Sequence, residues 1–196
     1  MAPSRESSPG RRTVSPLCQQ LVVPERSKLQ CVLPDTVTGT RQDLVVSVCS
    51  VAARGGLPLF QARVAEQGRN AGIHLETLGG EERLAFLSTQ ELWVQPQGRE
   101  PRMDIAKASG VKYAAIMKGE GVYTVTSNLG PLMVFSGDFQ RHDVEVRDGQ
   151  GQVLAEVNPG SGSVAGYVVT VFPCVDSGLV ILGLLAIDKR ERHAHA

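Results

Sequence analysis

The sequence predicts a mainly β protein, in which a closed antiparallel barrel of about twelve strands encloses a hydrophobic C-terminal helix. Three observations lead to this fold class. Short apolar segments alternate with glycine-containing turns along most of the chain. Glycine is abundant, with 21 residues, whereas aromatic residues make up only 5% of the chain. Close to the C-terminus, nine consecutive residues, Leu179 to Ile187, carry no polar side chain.

The apolar run Leu179–Ile187 predicts a buried helix. A helix that is apolar on every face must be surrounded by protein or by lipid. Nine residues are too few to cross a membrane, because a span needs about 20. Asp176 and Ser177 precede the run as candidate N-caps, since a side-chain oxygen can accept hydrogen bonds from free backbone N–H groups. We therefore predict a buried helix at residues 176–188.

Twelve or thirteen candidate strands precede this helix, separated by turns that contain Gly or Asn. In Asp143–Arg147 the two valines point one way and the charged residues the other, as in a sheet with one solvated face. The candidate strands are Leu29–Leu33, Asp43–Val51, Leu57–Val64, Ile73–Leu78, Arg83–Ser88, Glu91–Gln95, Met103–Lys107, Lys112–Lys118, Val122–Ser127, Leu132–Ser136, His142–Arg147, Gln152–Val157 and Gly166–Phe172.

Closure of these strands into a barrel is predicted because an open sheet leaves two unpaired edges. A barrel of about twelve strands is wider than the ~8-stranded kind that its own side chains can fill. The apolar helix provides the missing filling. We assign residues 28–190 to this barrel, with the central helix at 176–188.

The chain ends are predicted to be disordered tails at residues 1–27 and 191–196. The first tail contains four prolines and no sustained apolar pattern, so it buries too little to fold alone. Ser8 and Ser15 each precede a proline and are candidate phosphorylation switches; the alternative is an unmodified flexible tail.

Composition and motifs argue against several classes of function. The formal net charge is zero, whereas nucleic-acid-binding proteins usually carry a basic excess, so no nucleic-acid partner is expected. No zinc-finger, catalytic-serine, phosphate-loop or EF-hand pattern occurs, so we expect no enzyme, no metal and no cofactor. We interpret Cys174 as a buried structural cysteine. Reduced cysteines and the absence of an apolar N-terminal segment predict a cytoplasmic protein, with peripheral membrane association as a further hypothesis.

Four basic residues are the candidate binding residues. Lys107 and Lys112 flank one tight turn, Lys118 ends the same hairpin, and Arg141 follows a Ser-Gly-Asp loop. Like charges gathered on one hairpin are mildly unfavourable. They become favourable against an anionic phospholipid headgroup, where each basic residue contributes about 1 kcal/mol. The alternative interpretation is a set of ordinary solvated side chains.

The segment Gly166–Lys189 resembles the tubby C-terminal-like superfamily, and within it the LURP-one-related proteins and the phospholipid scramblases. In that family a strand ending Tyr-x-Val-x-Val-x-Pro precedes an apolar helix that ends in Asp. Val134–Phe139 and the hairpin at Asp148–Val157 are similar to it as well. The resemblance implies a twelve-stranded barrel around a central C-terminal helix.

The resemblance implies a lipid-facing role for the chain. Tubby proteins bind phosphoinositide headgroups through basic residues, and scramblases are proposed to move phospholipids in response to calcium. Scramblase-like calcium segments are acidic, but here Asp176 is the one carboxylate between Gly160 and Ala186. The first hypothesis is therefore a non-catalytic module that binds a phosphoinositide, a membrane surface or a protein partner. The alternatives are a phospholipid scramblase and a structural or regulatory scaffold.

Overall fold

The structure is a computed structural model that describes residues 15–33, 60–65, 72–88, 102–160 and 166–193. The described residues form one antiparallel β-sheet, one α-helix and a short 3₁₀ turn at Gln19–Leu21. The strands are β1 (Leu29–Leu33), β2 (Gln61–Ala65), β3 (Gly72–Glu76), β4 (Arg83–Ser88), β5 (Arg102–Lys107), β6 (Lys112–Lys118), β7 (Val122–Ser127), β8 (Gly130–Asp138), β9 (Asp143–Arg147), β10 (Val153–Pro159) and β11 (Tyr167–Val171), followed by helix α1 (Ser177–His193).

Most of the predicted strands are present because their alternation of apolar and polar residues is strong. In β9, for example, Val144 and Val146 are buried while Asp143 and Arg147 are exposed. This alternation lets one face of the strand pack inward and the other meet water. The predicted strands Asp43–Val51 and Glu91–Gln95 lie outside the described residues.

The eleven strands form one sheet in the order β1-β11-β10-β9-β8-β7-β6-β5-β4-β3-β2. Strands β1 and β2 stand at its two edges, and within the described ranges no ladder joins them. The described strands therefore form an open sheet and not the predicted closed barrel, and the mainly β class with a C-terminal helix is confirmed. Alternation identifies which segments are strands, but closure requires hydrogen bonds between two edges that the pattern does not specify. A curled sheet can bury its apolar face against a helix without that closure.

The sheet curls around α1. Eleven strands spaced about 4.8 Å apart would span about 50 Å if the sheet were flat, several times the diameter of about 10 Å of a helix. Yet α1 contacts β3 and β4 near one edge, Phe135 of β8 in the middle and Tyr167 of β11 near the other edge. The fifteen residues from Val175 to Lys189 are all buried, so the predicted burial of the apolar helix is correct.

The antiparallel order gives the sheet two ends, which we name after α1. The start end carries the beginning of α1 and the turns at residues 77–82, 108–111, 128–129 and 148–152. The finish end carries the C-terminal part of α1 and the turns at residues 119–121 and 139–142. Each turn of the β5–β10 meander therefore lies at a known end of the sheet.

At the start end, the chain N-terminal to β1 packs against the first turn of α1. Asp176 caps the helix, because its carboxylate accepts the Leu179 N–H at 3.1 Å and the Cys18 N–H at 2.8 Å. Ser177 donates its hydroxyl to the Leu21 carbonyl oxygen at 2.7 Å. Leu17, Cys18 and Val23 are buried. Residues 15–27 are thus packed against the folded domain, whereas the sequence predicted a disordered tail over residues 1–27. The few apolar residues of this segment are buried because the start of α1 supplies both hydrogen-bond partners and apolar contacts.

At the other end of the chain, α1 continues to His193, five residues beyond the predicted helix end at 188. The polar residues after Asp188 extend the helix because Glu191 has partners on the sheet. Of the two candidate phosphorylation sites, Ser8 lies outside the described residues. At Ser15, the backbone carbonyl oxygen accepts a hydrogen bond from the Tyr113 hydroxyl at 2.9 Å.

Gly183 lies where α1 passes closest to β8. A Cβ atom at Gly183 would lie 2.6 Å from Cζ of Phe135, well inside van der Waals contact. The ring of Phe135 is fully buried, so it has little room to move away. Glycine is therefore required here by close packing, despite its cost of about 1 kcal/mol in a helix relative to alanine.

Replacing this glycine should destabilise the fold. We expect Gly183→Leu to lower the free energy of unfolding by about 1–3 kcal/mol or more through overpacking, and Phe135→Leu to recover part of the loss in the double variant. Urea denaturation measures both effects. Gly149→Ala is the matched control, because its Cβ would meet Pro131 at an ordinary 3.6 Å. An unchanged midpoint for Gly183→Leu would contradict the close approach of α1 and β8.

The Asp176 carboxyl should make stability pH-dependent. Burial raises its pKa above 3.8, although the N–H groups of Cys18 and Leu179 lower it in part. The folded state therefore holds this proton more tightly than the unfolded state does. The Asp176 contribution to stability is largest below the unfolded pKa and is lost as pH rises through the folded pKa. Denaturation of the parent and of Asp176→Asn across acidic to neutral pH should show the parent losing stability relative to the variant as pH rises; a constant difference would refute this assignment.

Candidate functional site

The structure separates the four predicted basic residues into two pairs. Lys107 and Lys112 flank the β5–β6 turn at the start end. Lys118 and Arg141 lie at the finish end, on β6 and in the β8–β9 turn. Sequence proximity did not reveal this separation, because Lys112 and Lys118 occupy opposite ends of one strand. One ligand headgroup therefore cannot contact all four residues.

Lys118 is engaged with the C-terminal part of α1. Its Nζ lies 2.6 Å from Oε1 of Glu191, which also accepts the Tyr123 hydroxyl. The Lys118 ammonium lies 5.5 Å from the centroid of the Tyr123 ring, at a distance typical of cation–π contacts. These contacts attach the helix to β6 and β7. Arg141 is highly exposed, and its Nε lies 3.6 Å from Oδ2 of Asp138.

His142, Asp188 and Tyr167 form a second contact between α1 and the sheet at the finish end. Tyr167 donates its hydroxyl to Asp188 Oδ2 at 2.5 Å. His142 Nε2 lies 3.6 Å from Asp188 Oδ1, and its ring stacks on Tyr167 with centroids 4.1 Å apart. All three are mostly buried, so we interpret this group as part of the packing of α1.

On the outer face of the sheet, Asp104 lies in the middle of β5 and joins two basic side chains, Lys112 from the start end and Arg102 from the finish-end side. Its Oδ2 lies 2.5 Å from Lys112 Nζ, and its Oδ1 lies 3.0 Å from Arg102 Nε. Lys107 carries a third cation nearby, with Nζ 5.7 Å from the centroid of the Tyr113 ring. Two cations therefore share one carboxylate, and Lys107 adds a third positive charge beside Tyr113. Sequence reasoning did not single out Arg102, although the alternation Arg-Met-Asp-Ile in β5 places Arg102 and Asp104 on one face.

A shallow concavity of about 380 Å³ opens beside these charges on the outer face of β6 and β7. Arg102 and Lys112 line one side, and Thr126 and Asn128 line the other. We call this feature the basic concavity. It presents cationic groups together with a hydroxyl and an amide, which are the groups that phosphate oxygens accept hydrogen bonds from.

A second, larger groove of about 680 Å³ lies between residues 20–30 and β11. Its walls include Leu21, Val23 and Leu29, with Lys28 at 4.2 Å from the centroid of the Phe172 ring. It runs beside β1, at one edge of the sheet. Nothing in its walls indicates the chemistry of an occupant.

The cysteines differ in their surroundings. Burial, together with the negative charge of Asp176, raises the pKa of the Cys18 thiol to about 12, so this thiol stays protonated at neutral pH. Cys174 is exposed in the turn before α1, at a backbone φ of 63°. The prediction that Cys174 is buried is wrong, because this turn directs it outward while its neighbour Val175 is buried.

Among the described residues, no three His, Cys, Asp or Glu side chains lie close enough together to hold a metal ion. Within those ranges, neither α1 nor the short 3₁₀ turn has the length and hydrophobicity that a membrane crossing requires.

Comparison with known proteins identifies no family. No family model matches the sequence, and no curated protein matches it either. An X-ray structure of a protein from Arabidopsis thaliana is similar over 90% of this chain and 98% of that chain, with 10% sequence identity and a TM-score of 0.42. A similarity at this level carries no argument about family or function.

The Glu191 contacts predict a pH dependence of the opposite sign to that of Asp176. Burial raises the pKa of Glu191, but the hydrogen bonds from Lys118 and Tyr123 and the charges of Lys118 and Arg190 outweigh it, so its pKa is lowered below 4.5. The stability it contributes is present above pH 4.5 and is lost as pH falls through the folded pKa. We expect Glu191→Gln to cost about 1 kcal/mol at pH 7, and less in acid. An equal cost at neutral and acidic pH in urea denaturation would contradict this expectation.

Proposed function

We propose that this chain is a non-catalytic module that binds anionic phospholipid headgroups at the basic concavity. The observation that carries the proposal is that two cations, Arg102 and Lys112, line a concave surface and share one carboxylate, while Lys107 lies beside Tyr113 on its wall. Lys107 and Lys112, two of the four basic residues proposed from sequence, belong to this group. Lys118 and Arg141 lie outside it.

The filled interior of the sheet supports an external site. The side chains of α1 from Leu179 to Ile187 are buried against the inward faces of the strands. A ligand inside the curled sheet would have to displace this helix, at a cost of about 1.5–3 kcal/mol for each large apolar side chain. The outer surface is therefore the more favourable place for a ligand to bind.

The ion pairs at the concavity can be exchanged for phosphate at low cost. Arg102 and Lys112 are about half exposed, with side-chain exposures of 47% and 50%. Exposed ion pairs contribute roughly 0–1 kcal/mol. Two basic residues near an anionic membrane contribute about 1 kcal/mol each, so their charges favour a headgroup even while Asp104 shares them.

The resemblance to the tubby-like family makes a phosphoinositide the first headgroup to test. In that family basic residues on the barrel bind such headgroups, and the match of Gly166–Lys189 concerns the helix and its preceding strand. The family assignment is part of this proposal.

We favour headgroup binding over lipid scrambling because of where α1 lies. A scramblase of the kind considered from sequence requires the helix to enter a bilayer. Withdrawing α1 would leave the inward side chains of the strands, such as Phe135 and Tyr167, in water. A scaffold that binds a protein partner is the remaining alternative, and the experiment below separates it from lipid binding.

Vesicle co-sedimentation tests the proposal. The parent chain should pellet with phosphatidylcholine vesicles that contain a phosphatidylinositol bisphosphate, and much less with phosphatidylcholine alone. Arg102→Gln with Lys112→Gln should weaken binding by about 10–30-fold, as expected for the loss of two basic residues near an anionic surface. The binding of the parent should fall as salt is raised, because exposed charges are screened.

Arg141→Gln is the matched control, because it removes one exposed cation at the finish end. It should bind like the parent. Equal pelleting with neutral and anionic vesicles would contradict the proposal. So would a loss of vesicle binding in Arg141→Gln as large as that in Arg102→Gln with Lys112→Gln. Capture of a protein partner by a chain that binds no vesicle would instead favour the scaffold alternative.

A further inference from the structure

Exposed apolar side chains are gathered at one end of the sheet. Among the described residues, three large apolar side chains are exposed: Leu78 at 42%, Val111 at 62% and Leu129 at 56%. Each lies in a hairpin turn, and all three turns belong to the start end. Single exposed apolar residues are common, but tight turns usually carry polar residues, and packing does not explain this shared location.

Two of these side chains flank the basic concavity. Val111 directly precedes Lys112, and Leu129 directly follows Asn128, both of which line the concavity. The β5–β6 and β7–β8 turns are two strand spacings apart, or about 10 Å. A headgroup at the Lys112 and Asn128 end of the concavity would therefore have an apolar side chain on either side of it at the rim of the sheet.

Each of the two turns makes two hydrogen bonds within itself. In the β5–β6 turn, the Lys107 N–H donates to the Val111 carbonyl and the Gly110 N–H to the Lys107 carbonyl, both at 2.9 Å. In the β7–β8 turn, the Leu129 N–H donates to Ser127 Oγ at 3.1 Å, and the Ser127 hydroxyl donates to the Gly130 carbonyl at 3.2 Å. Unpaired backbone groups make loops costly in lipid, so these internal hydrogen bonds lower the cost of bringing the turns to an apolar layer.

The charges around the turns fit an anionic bilayer surface. Lys107 and Lys112 stand on either side of Val111. Long lysine side chains can keep their ammonium groups at the headgroups while the adjacent Val111 side chain lies deeper in the membrane. The Leu78 turn differs, because Glu81 and Glu82 follow it and both are exposed. Carboxylates oppose approach to an anionic surface, so the contact should be centred on Val111 and Leu129.

We propose that the Val111 and Leu129 turns insert into the outer layer of an anionic membrane and orient the protein with its start end toward the bilayer. This inference rests on the proposed headgroup binding and adds a second, apolar component to it. The occupant of this surface is the lipid bilayer itself. The finish end, with the Lys118 and Arg141 positions, then faces away from the membrane.

Insertion is measured by quenching of tryptophan fluorescence with brominated lipids in vesicles that contain phosphatidylinositol bisphosphate. The fluorescence of Val111→Trp and of Leu129→Trp should be quenched by a larger fraction than that of the parent. The parent fluorescence comes from Trp93, the single tryptophan of the sequence. Glu120→Trp, in the exposed β6–β7 turn at the finish end, should show no additional quenching.

Binding is measured in parallel on variants that remove the apolar tips. Val111→Ser with Leu129→Ser should weaken vesicle binding about tenfold or more, because the transfer of apolar surface from water is lost. That loss should be similar at low and high salt, whereas the loss in Arg102→Gln with Lys112→Gln should shrink at high salt. Leu78→Ser is the matched control at the same end, and it should change binding by less than about twofold.

The outcomes separate this inference from the proposed function. Headgroup-dependent binding that is insensitive to the tip variants, with no quenching at position 111 or 129, overturns insertion alone. A parent chain that binds no anionic vesicle overturns both. Self-association of the parent without lipid, abolished by Val111→Ser with Leu129→Ser, assigns the surface to a second copy of the chain and also overturns insertion.

Discussion

The contact on which the structure depends is the burial of α1 by a curled sheet. Strands from both halves of the sheet contact this one helix, so the curvature of the sheet and the position of the helix determine each other. Gly183 and Phe135 show how closely they fit, because a single Cβ would force them apart. With the interior filled in this way, the outer face and the turns are the surfaces that remain accessible.

The ends of α1 are fixed by polar groups, and this determines what the sheet presents at its two ends. At the start end Asp176 draws the chain from Leu17 to Val23 onto the helix. At the finish end Glu191 and Asp188 engage Lys118, Tyr123 and Tyr167. Lys118 thereby helps to hold α1 on the sheet, whereas Arg102 and Lys112 share one partly buried carboxylate and retain excess positive charge.

The strands and the helix could be predicted from sequence because period-two alternation and an all-apolar run report local burial. The closure of the sheet could not, since it depends on pairing between distant edges. The packing of Cys18 against Asp176 was missed for the same reason, because 158 residues separate them. In the candidate site, Lys107 and Lys112 could be predicted from sequence because they flank one tight turn. Arg102 could not, because the β5–β6 register pairs it with Met117, at the opposite end of β6 from Lys112, and the two cations are linked through the Asp104 carboxylate.

The long sequence separation between the N-terminal segments and their C-terminal partners also affects folding during synthesis. Residues 17–23 bury their side chains against the first turn of α1, and β1 hydrogen-bonds to β11. Both early segments therefore lack their partners until the last part of the chain has left the ribosome. Contacts of such high sequence separation slow folding. We expect residues 17–33 to remain exposed to chaperones throughout translation, and the final helix to complete the folded state.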